Sequence, residues 1–257
     1  MPSLSVCIEM FWPKLPLIER IPLVARLGYQ AFEFWGWDNK DIPAVRRAKD
    51  EAGLAVAAIC HVPGNRLIAR GAQAELVNGM VQTARVAREL QCPTVIVTTG
   101  NTLDDESEEA SRRRVVRHLK AVGQVAADNG LTLVLEPLNT LVNHHGYWLT
   151  KMAAAADIID EVDSPAVRIL MDVYHQQVQE GNIIANLTAY AGSIGHFHVA
   201  GVPGRHDLVG GELDYRSIFR AIDATGYTGY VGLEYMPLLP EEVSLAQAHS
   251  LLSDQLP

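Results

Sequence analysis

The chain reads as an α/β protein of the (β/α)₈ barrel class, the TIM barrel, and three observations lead there. Short apolar runs rich in β-branched residues alternate eight times with longer amphipathic stretches. Four helix-to-strand joins carry a glycine suited to a left-handed helix C-cap: Leu27-Gly28-Tyr29, Ala52-Gly53-Leu54, Asn129-Gly130-Leu131 and Thr225-Gly226-Tyr227. Ligand-type residues also close four consecutive strands at their carboxyl ends, the working end of such a barrel.

The first strand is placed at 5–9. It is followed by Met10-Phe11-Trp12-Pro13, without the glycine-rich phosphate loop that often opens a doubly wound sheet, which favours closure into a barrel. The aromatic run at 31–35 and the small, β-branched run at 55–61 supply strands two and three. Strand four is 94–98 (Thr-Val-Ile-Val-Thr), and 131–136, 167–172, 194–199 and 230–235 complete the set, with helical patterns filling the gaps. A length of 257 residues suits one barrel of about 250, and no low-complexity tract or block of like charge interrupts the alternation. Residues 1–257 therefore read as a single domain, with Arg112-Arg113-Arg114 as a brief basic patch.

A formal charge of −9 and a pI near 5.4 argue against nucleic acid as a partner, since such affinity comes from neutralising phosphates. Cys7, Cys60 and Cys92 are odd in number and widely spaced, so they read as reduced core residues of a cytoplasmic protein. The amino terminus shows no signal-peptide pattern, and no apolar run approaches the roughly 20 residues of a membrane span, so no membrane association is expected.

Strands five to eight end in Leu-Val-Leu-Glu136, Ile-Leu-Met-Asp172, His196-Phe-His198 and Val-Gly-Leu-Glu234. As neighbours in a closed sheet they would bring Glu136, Asp172, His198 and Glu234 to one point above the barrel. Three carboxylates and an imidazole suit one divalent ion, Mn²⁺, Mg²⁺ or Co²⁺, rather than a structural zinc. A carboxylate base beside a Lewis acid invites enolisation. A lone acid at a strand end would more simply cap a helix, but four together must be paired or coordinate something. Within the His196/His198 pair the two rings are expected to diverge, one into the mouth and one toward the helices, and His198 is taken as the ligand.

His175 follows Asp172 on the loop and is expected to hold a substrate oxygen. Arg205, beyond the turn Val202-Pro203-Gly204, is expected to clamp a hydroxyl or carboxylate. Among Trp12, Phe34, Trp35, Trp37 and Trp148, all near strand ends, Trp12 and Trp148 are taken as the aromatic walls of the pocket. His61, ending strand three, is a further candidate.

On Glu136-Pro-Leu-Asn139, Gly146-Tyr-Trp-Leu149, Asp172-Val-Tyr-His-Gln176, Val202-Pro-Gly-Arg-His206, Gly211-Glu-Leu-Asp-Tyr215 and Gly232-Leu-Glu-Tyr235, the sequence resembles the xylose isomerase-like barrel superfamily. The likeness is greatest to its hydroxypyruvate isomerase group and covers nearly the whole chain. The resemblance implies that Glu136 and Glu234 touch the metal and transfer the proton, that Asp172 and His198 complete the metal site, and that His175 and Arg205 hold substrate oxygens. It also implies a homo-oligomer, dimer or tetramer. Two departures touch the substrate. Some hydroxypyruvate isomerases carry glutamine at the position of His198, where ketose epimerases carry histidine. Val142 stands where ketose 3-epimerases have a further substrate-binding glutamate, and Thr140-Leu141 replaces their usual Arg-Phe step.

The expected reaction is a metal-assisted proton shift through an enediolate on a small hydroxy-keto acid or keto-sugar. Return of the proton to the neighbouring carbon interconverts hydroxypyruvate and tartronate semialdehyde, or an aldose and a ketose. Return to the opposite face gives an epimer, as in a ketose 3-epimerase. A metal-dependent endonuclease would share the barrel but is opposed by the acidic charge, and a non-catalytic sugar-binding barrel is opposed by the glutamate pair.

Overall fold

Eight parallel strands close on one another in sequence order: β1 (Ser3–Cys7), β2 (Ala31–Phe34), β3 (Ala55–Cys60), β4 (Thr94–Val97), β5 (Thr132–Leu135), β6 (Val167–Asp172), β7 (Ile194–Val199) and β8 (Tyr230–Leu233). The computed structural model describes residues 1–252, so 253–257 of the single domain read over 1–257 lie outside the described residues. β6 and β7 fall where the sequence puts them. β1 starts earlier than predicted because its ladder to β8 begins with Ser3 opposite Tyr230. Strands β5 and β8 stop short of their predicted ends, which leaves Glu136 and Glu234 just past the last ladder residue, where the chain leaves the sheet.

Around the sheet run α1 (Leu17–Arg26), α2 (Ile42–Ala52), α3 (Gln73–Leu90), α4 (Glu108–Asp128), α5 (Met152–Val162), α6 (Val173–Gln179), α7 (Ile183–Ala189), α8 (Tyr215–Ala224) and α9 (Glu241–Ser250). Local chemistry sets their ends. The Asp41 carboxylate accepts the Ala44 amide at 3.0 Å ahead of α2, and Gly53 closes that helix at φ 67°. Ser107 caps α4 in front of Glu108 and Glu109, which favour the positive end of the helix dipole. The Arg112-Arg113-Arg114 run is not a free basic surface: the three side chains pair with Glu161 and Asp157, with Glu109, and with Glu106. Among the described residues no helix is long and apolar enough to cross a membrane.

Strand alternation sorts the side chains into two layers. Leu133 and Leu135, Ile169 and Met171, Phe197 and Val199, and Val231 and Leu233 belong to the core between sheet and helices. The residues between them point into the barrel. Ala58, Ile96, Val134 and Leu170 form a separate apolar cluster there, with Cys60 packed against it. Beside them are polar or side-chain-free inward positions, Ser5, Glu33, His196 and Gly232, all of them buried. Cys7, Cys60 and Cys92 form no disulfide.

Candidate active site

Each predicted ligand continues an inward row. Glu136 lies two residues beyond Val134, Asp172 two beyond Leu170, His198 two beyond His196 and Glu234 two beyond Gly232. Register does the rest, setting Asp172 beside His198 and His198 beside Gly232. Glu136, Asp172, His198 and Glu234 thereby offer ligand atoms that all lie within 4.8 Å of one another, and all four are buried. His198 Nδ1 stands 3.1 Å from a Glu234 oxygen and 3.8 Å from a Glu136 oxygen. Three carboxylates this close, out of water, are stable only when paired or coordinated. Both nitrogens of His198 are buried without a well-formed hydrogen bond, each 3.1 Å from a carboxylate oxygen, which leaves Nδ1 free to ligate on the side of the cluster. The donor set fits a divalent cation of the Mg²⁺ or Mn²⁺ type.

Asp172 serves two purposes. One oxygen accepts the His175 amide at 3.0 Å and caps α6, while the other faces Arg205 at 3.4 Å and His175 Nε2 at 3.6 Å. The helix-cap reading and the ligand reading of a strand-end acid hold together here.

His175 is fully buried, and its tautomer follows from its neighbours. The Asn139 side-chain oxygen accepts the amides of Val142 and Asn143, both at 3.1 Å, so its NH₂ group must face His175 Nδ1, 2.6 Å away. The Asn139 backbone amide approaches the same nitrogen at 3.3 Å. Nδ1 is therefore an acceptor and the ring proton sits on Nε2, which has no partner of its own and faces the site. Burial, assisted by the nearby Arg205 charge, brings the imidazole down to about 4, so His175 is neutral at pH 7.

Arg205 adopts a left-handed backbone, φ 62°, directly after Gly204, a conformation that costs a side chain energy. Its Nη2 donates to a Glu234 oxygen at 2.5 Å, and its Nε to the Glu234 carbonyl at 3.3 Å. The guanidinium lies over the Tyr174 ring, 5.5 Å from its centroid.

These contacts separate the two glutamates. Burial pushes Glu136 up, with the Glu234 and Asp172 charges adding to it and His198 opposing. Burial also acts to raise Glu234, but the Arg205 and His198 charges, with the hydrogen bond from Trp35, hold it far below the usual carboxylate range. His198 loses basicity by burial, yet Glu234 and Glu33 more than restore it and hold it well above its ordinary value.

A cavity of about 390 Å³ opens over this cluster, lined by Trp35, Cys60, Thr98, Glu136, His144, His175, His198, Arg205 and Glu234 among others. A larger cleft of about 480 Å³ at the opposite end of the barrel, around Thr132, Arg168 and Gly195, contains no cluster of ligand types.

Three predicted contacts are placed elsewhere. His61 follows Cys60, and alternation that turns Cys60 inward turns His61 outward, where its Nε2 meets the Leu76 carbonyl at 3.1 Å. Trp12 packs on Phe11, with its Nε1 3.4 Å from Glu242 on α9. Trp148 donates to Glu108 at the start of α4, at 2.8 Å. None of the three lines the cavity. The expected divergence of His196 and His198 is also wrong: residues two apart share a strand face, and both rings point inward, 5.1 Å apart.

The sequence reading missed Trp35 as a wall, although it weighed it: this residue, not Trp12 or Trp148, donates to Glu234, at 2.7 Å. It also missed Asn139, His144 and Glu33. The signal for Glu33 was available, an acid between two phenylalanines in a strand otherwise apolar.

A closed parallel barrel with a carboxylate and imidazole cluster at its carboxyl-terminal mouth defines a class, and the comparison with known families agrees. Residues 21–254 match the xylose isomerase-like TIM barrel family, and the chain belongs to it. A mouse protein named "Putative hydroxypyruvate isomerase" is 31% identical over 91% of this chain and 89% of its own length. A 2-oxo-tetronate isomerase of Pectobacterium atrosepticum is 26% identical over 98% of both chains. Among solved structures, a protein described as an AP endonuclease, family 2, from Brucella melitensis superposes with a TM-score of 0.93 at 26% identity, over 97% of this chain and 98% of its own. The curated relatives are thus isomerases, the class the sequence points to.

Proposed function

We propose that this protein is a metal-dependent isomerase that moves a proton through an enediolate on a small hydroxy-keto acid or keto-sugar, with hydroxypyruvate or a 2-oxo-tetronate as the leading substrates. The observation that carries the reading is the buried cluster at the mouth, in which Glu136 and Glu234 face each other across the barrel and offer ligand atoms, with Asp172 and His198, all within 4.8 Å of one another. A divalent ion held by Glu136, Asp172, His198 and Glu234 would supply Lewis-acid stabilisation of the charge that develops on the substrate oxygens.

One of the two glutamates removes the C–H proton next to the carbonyl, and the other returns a proton at the adjacent position; Arg205 and Trp35 fix the orientation of Glu234 for its part. His175, locked with its proton on Nε2, donates to a substrate oxygen. Arg205 offers its remaining donors to a carboxylate or hydroxyl.

The nuclease alternative has little to bind a phosphate backbone with, since the net charge is −9 and the arginine run on α4 is paired. Exposed Trp35, Leu141, Val142, Met236 and Leu238 on mouth-side loops support a homo-oligomer, which light scattering would test.

The decisive experiment supplies the enzyme with Mn²⁺ or Mg²⁺ in D₂O and follows hydroxypyruvate, a 2-oxo-tetronate and a panel of free ketoses by NMR. Isomerised product carrying deuterium is the expected result. Inversion at C3 of a ketose would move the protein to the epimerases, and no turnover or exchange with any substrate would overturn the reading.

A further inference from the structure

A second group of ionisable side chains lies beneath the cluster and is not part of the proposed chemistry. Glu33, on β2, is 2% exposed and reaches into the barrel toward β7 on the far side of β1 and β8. One of its oxygens is 3.0 Å from His196 Nε2 and accepts the Ser5 hydroxyl at 3.2 Å. The other is 3.1 Å from His198 Nε2. His198 thus has its two nitrogens in different company, Nε2 against Glu33 and Nδ1 against Glu136 and Glu234.

Gly232 makes this arrangement possible. A Cβ built there would lie 2.0 Å from Glu33 Oε1 and 2.7 Å from His198 Cδ2. Its φ is not in the left-handed region, so the glycine is needed for the space it leaves rather than for its backbone freedom.

Resting on the metal reading above, we propose that Glu33 is a positioning residue for the metal site. Its carboxylate receives the Nε2 proton of His198 and so turns Nδ1 toward the ion, and Gly232 leaves room for the contact. A carboxylate behind a ligating histidine fixes the tautomer and ring orientation, and its loss typically weakens metal binding by about 10- to 100-fold. The same three residues, Glu33, His196 and His198, also have ligand atoms close enough to hold an ion of their own, and the experiment distinguishes that use.

The test titrates metal-stripped protein with Mn²⁺, following free ion by electron paramagnetic resonance, for the wild type, Glu33→Gln and Gly232→Ala, with a thermal melt of each. The expected result is one ion per wild-type chain and about 10- to 100-fold weaker binding in both folded variants, still at one site. Gly232→Ala retains every ionisable group but displaces the Glu33 carboxylate from His198, so it carries the test if Glu33→Gln does not fold. Wild-type affinity in a folded variant, with only the melting temperature changed, would make the contact merely structural and overturn the proposal. Two ions per wild-type chain, one of them lost with Glu33, would overturn it in favour of a second metal site. A wild-type chain that takes up no ion overturns the metal reading itself, and this inference with it.

Discussion

The barrel interior has two unlike halves. Strands β3 to β6 fill theirs with Ala58, Ile96, Val134 and Leu170, a dry apolar plug. Strands β1, β2, β7 and β8 fill theirs with Ser5, Glu33, His196 and a glycine, tied together by hydrogen bonds and close ion pairs. A barrel core is ordinarily apolar throughout. The apolar half needs no partners of its own and supports Glu136 and Asp172 from below by packing, with the His175 amide and Arg205 engaging Asp172 at the mouth. The polar half must satisfy every buried group it contains, and in return it supports His198 with a directed contact from below. Packing supplies rigidity and the buried network supplies orientation, so the two halves should fail differently when altered.

The largest effect belongs at the mouth, where both halves meet. Glu136→Gln and Glu234→Gln keep volume but remove the proton carrier, and each should lower kcat by about 10²- to 10⁴-fold with the fold intact by circular dichroism. A folded, metal-loaded variant turning over at the wild-type rate would remove that residue from the chemistry.

In the apolar half, Leu170→Ala should cost about 2–5 kcal/mol in urea unfolding, by lost transfer energy and a residual cavity. Its Mn²⁺ affinity should stay at the wild-type value. A large loss of affinity there would break the division between the halves.

Asn139→Leu removes a side-chain donor from His175 Nδ1 and should cost about 1–3 kcal/mol. Nitrogen chemical shifts of the ring should show the Nε2–H tautomer less dominant, held only by the Asn139 backbone amide at 3.3 Å, and KM should rise more than kcat falls.

The mildest handle is pH. His198 is held well above its ordinary value by Glu234 and Glu33 against the effect of burial, so it carries a proton through neutrality that must leave before Nδ1 can ligate. Metal affinity should therefore rise with pH, by up to about tenfold per unit for one proton. Calorimetry in two buffers of different ionisation enthalpy should detect the released proton, and a flat profile from pH 6 to 8 would remove His198 from the ligand set.

Much of this was legible in one dimension because the barrel repeats a local rule. Apolar strands separated by amphipathic helices read directly as βα units, and β6 and β7 were placed to the residue because their apolar runs end sharply. Glu136, Asp172 and Glu234 were legible for the same reason, each being the first ligand-type residue after such a run, while His198 follows His196 and was chosen as the one nearer the strand's end. The error at the His196/His198 pair was one of period, since residues two apart share a face in any register, whereas that at His61 was one of parity. Which of two adjacent residues faces inward depends on where the ladder starts, and a shift of one position exchanges the faces. Trp12 and Trp148 were misassigned because they lie on long connections, whose path is set by distant partners, Glu242 and Glu108, and not by local pattern.

What the sequence determined by itself, then, was the strand–helix rhythm, the end of the barrel where chemistry belongs, and the four residues that gather there. Only the tertiary structure decided how those residues are supported. Trp35 meets Glu234 across 199 positions of sequence, and Glu33 meets His196 across 163. Both pairings exist because β8 closes onto β1, bringing β2 within reach of β7 and β8. Closure is a property of the whole sheet, fixed by the register of its ladders, and no local window of the chain contains it.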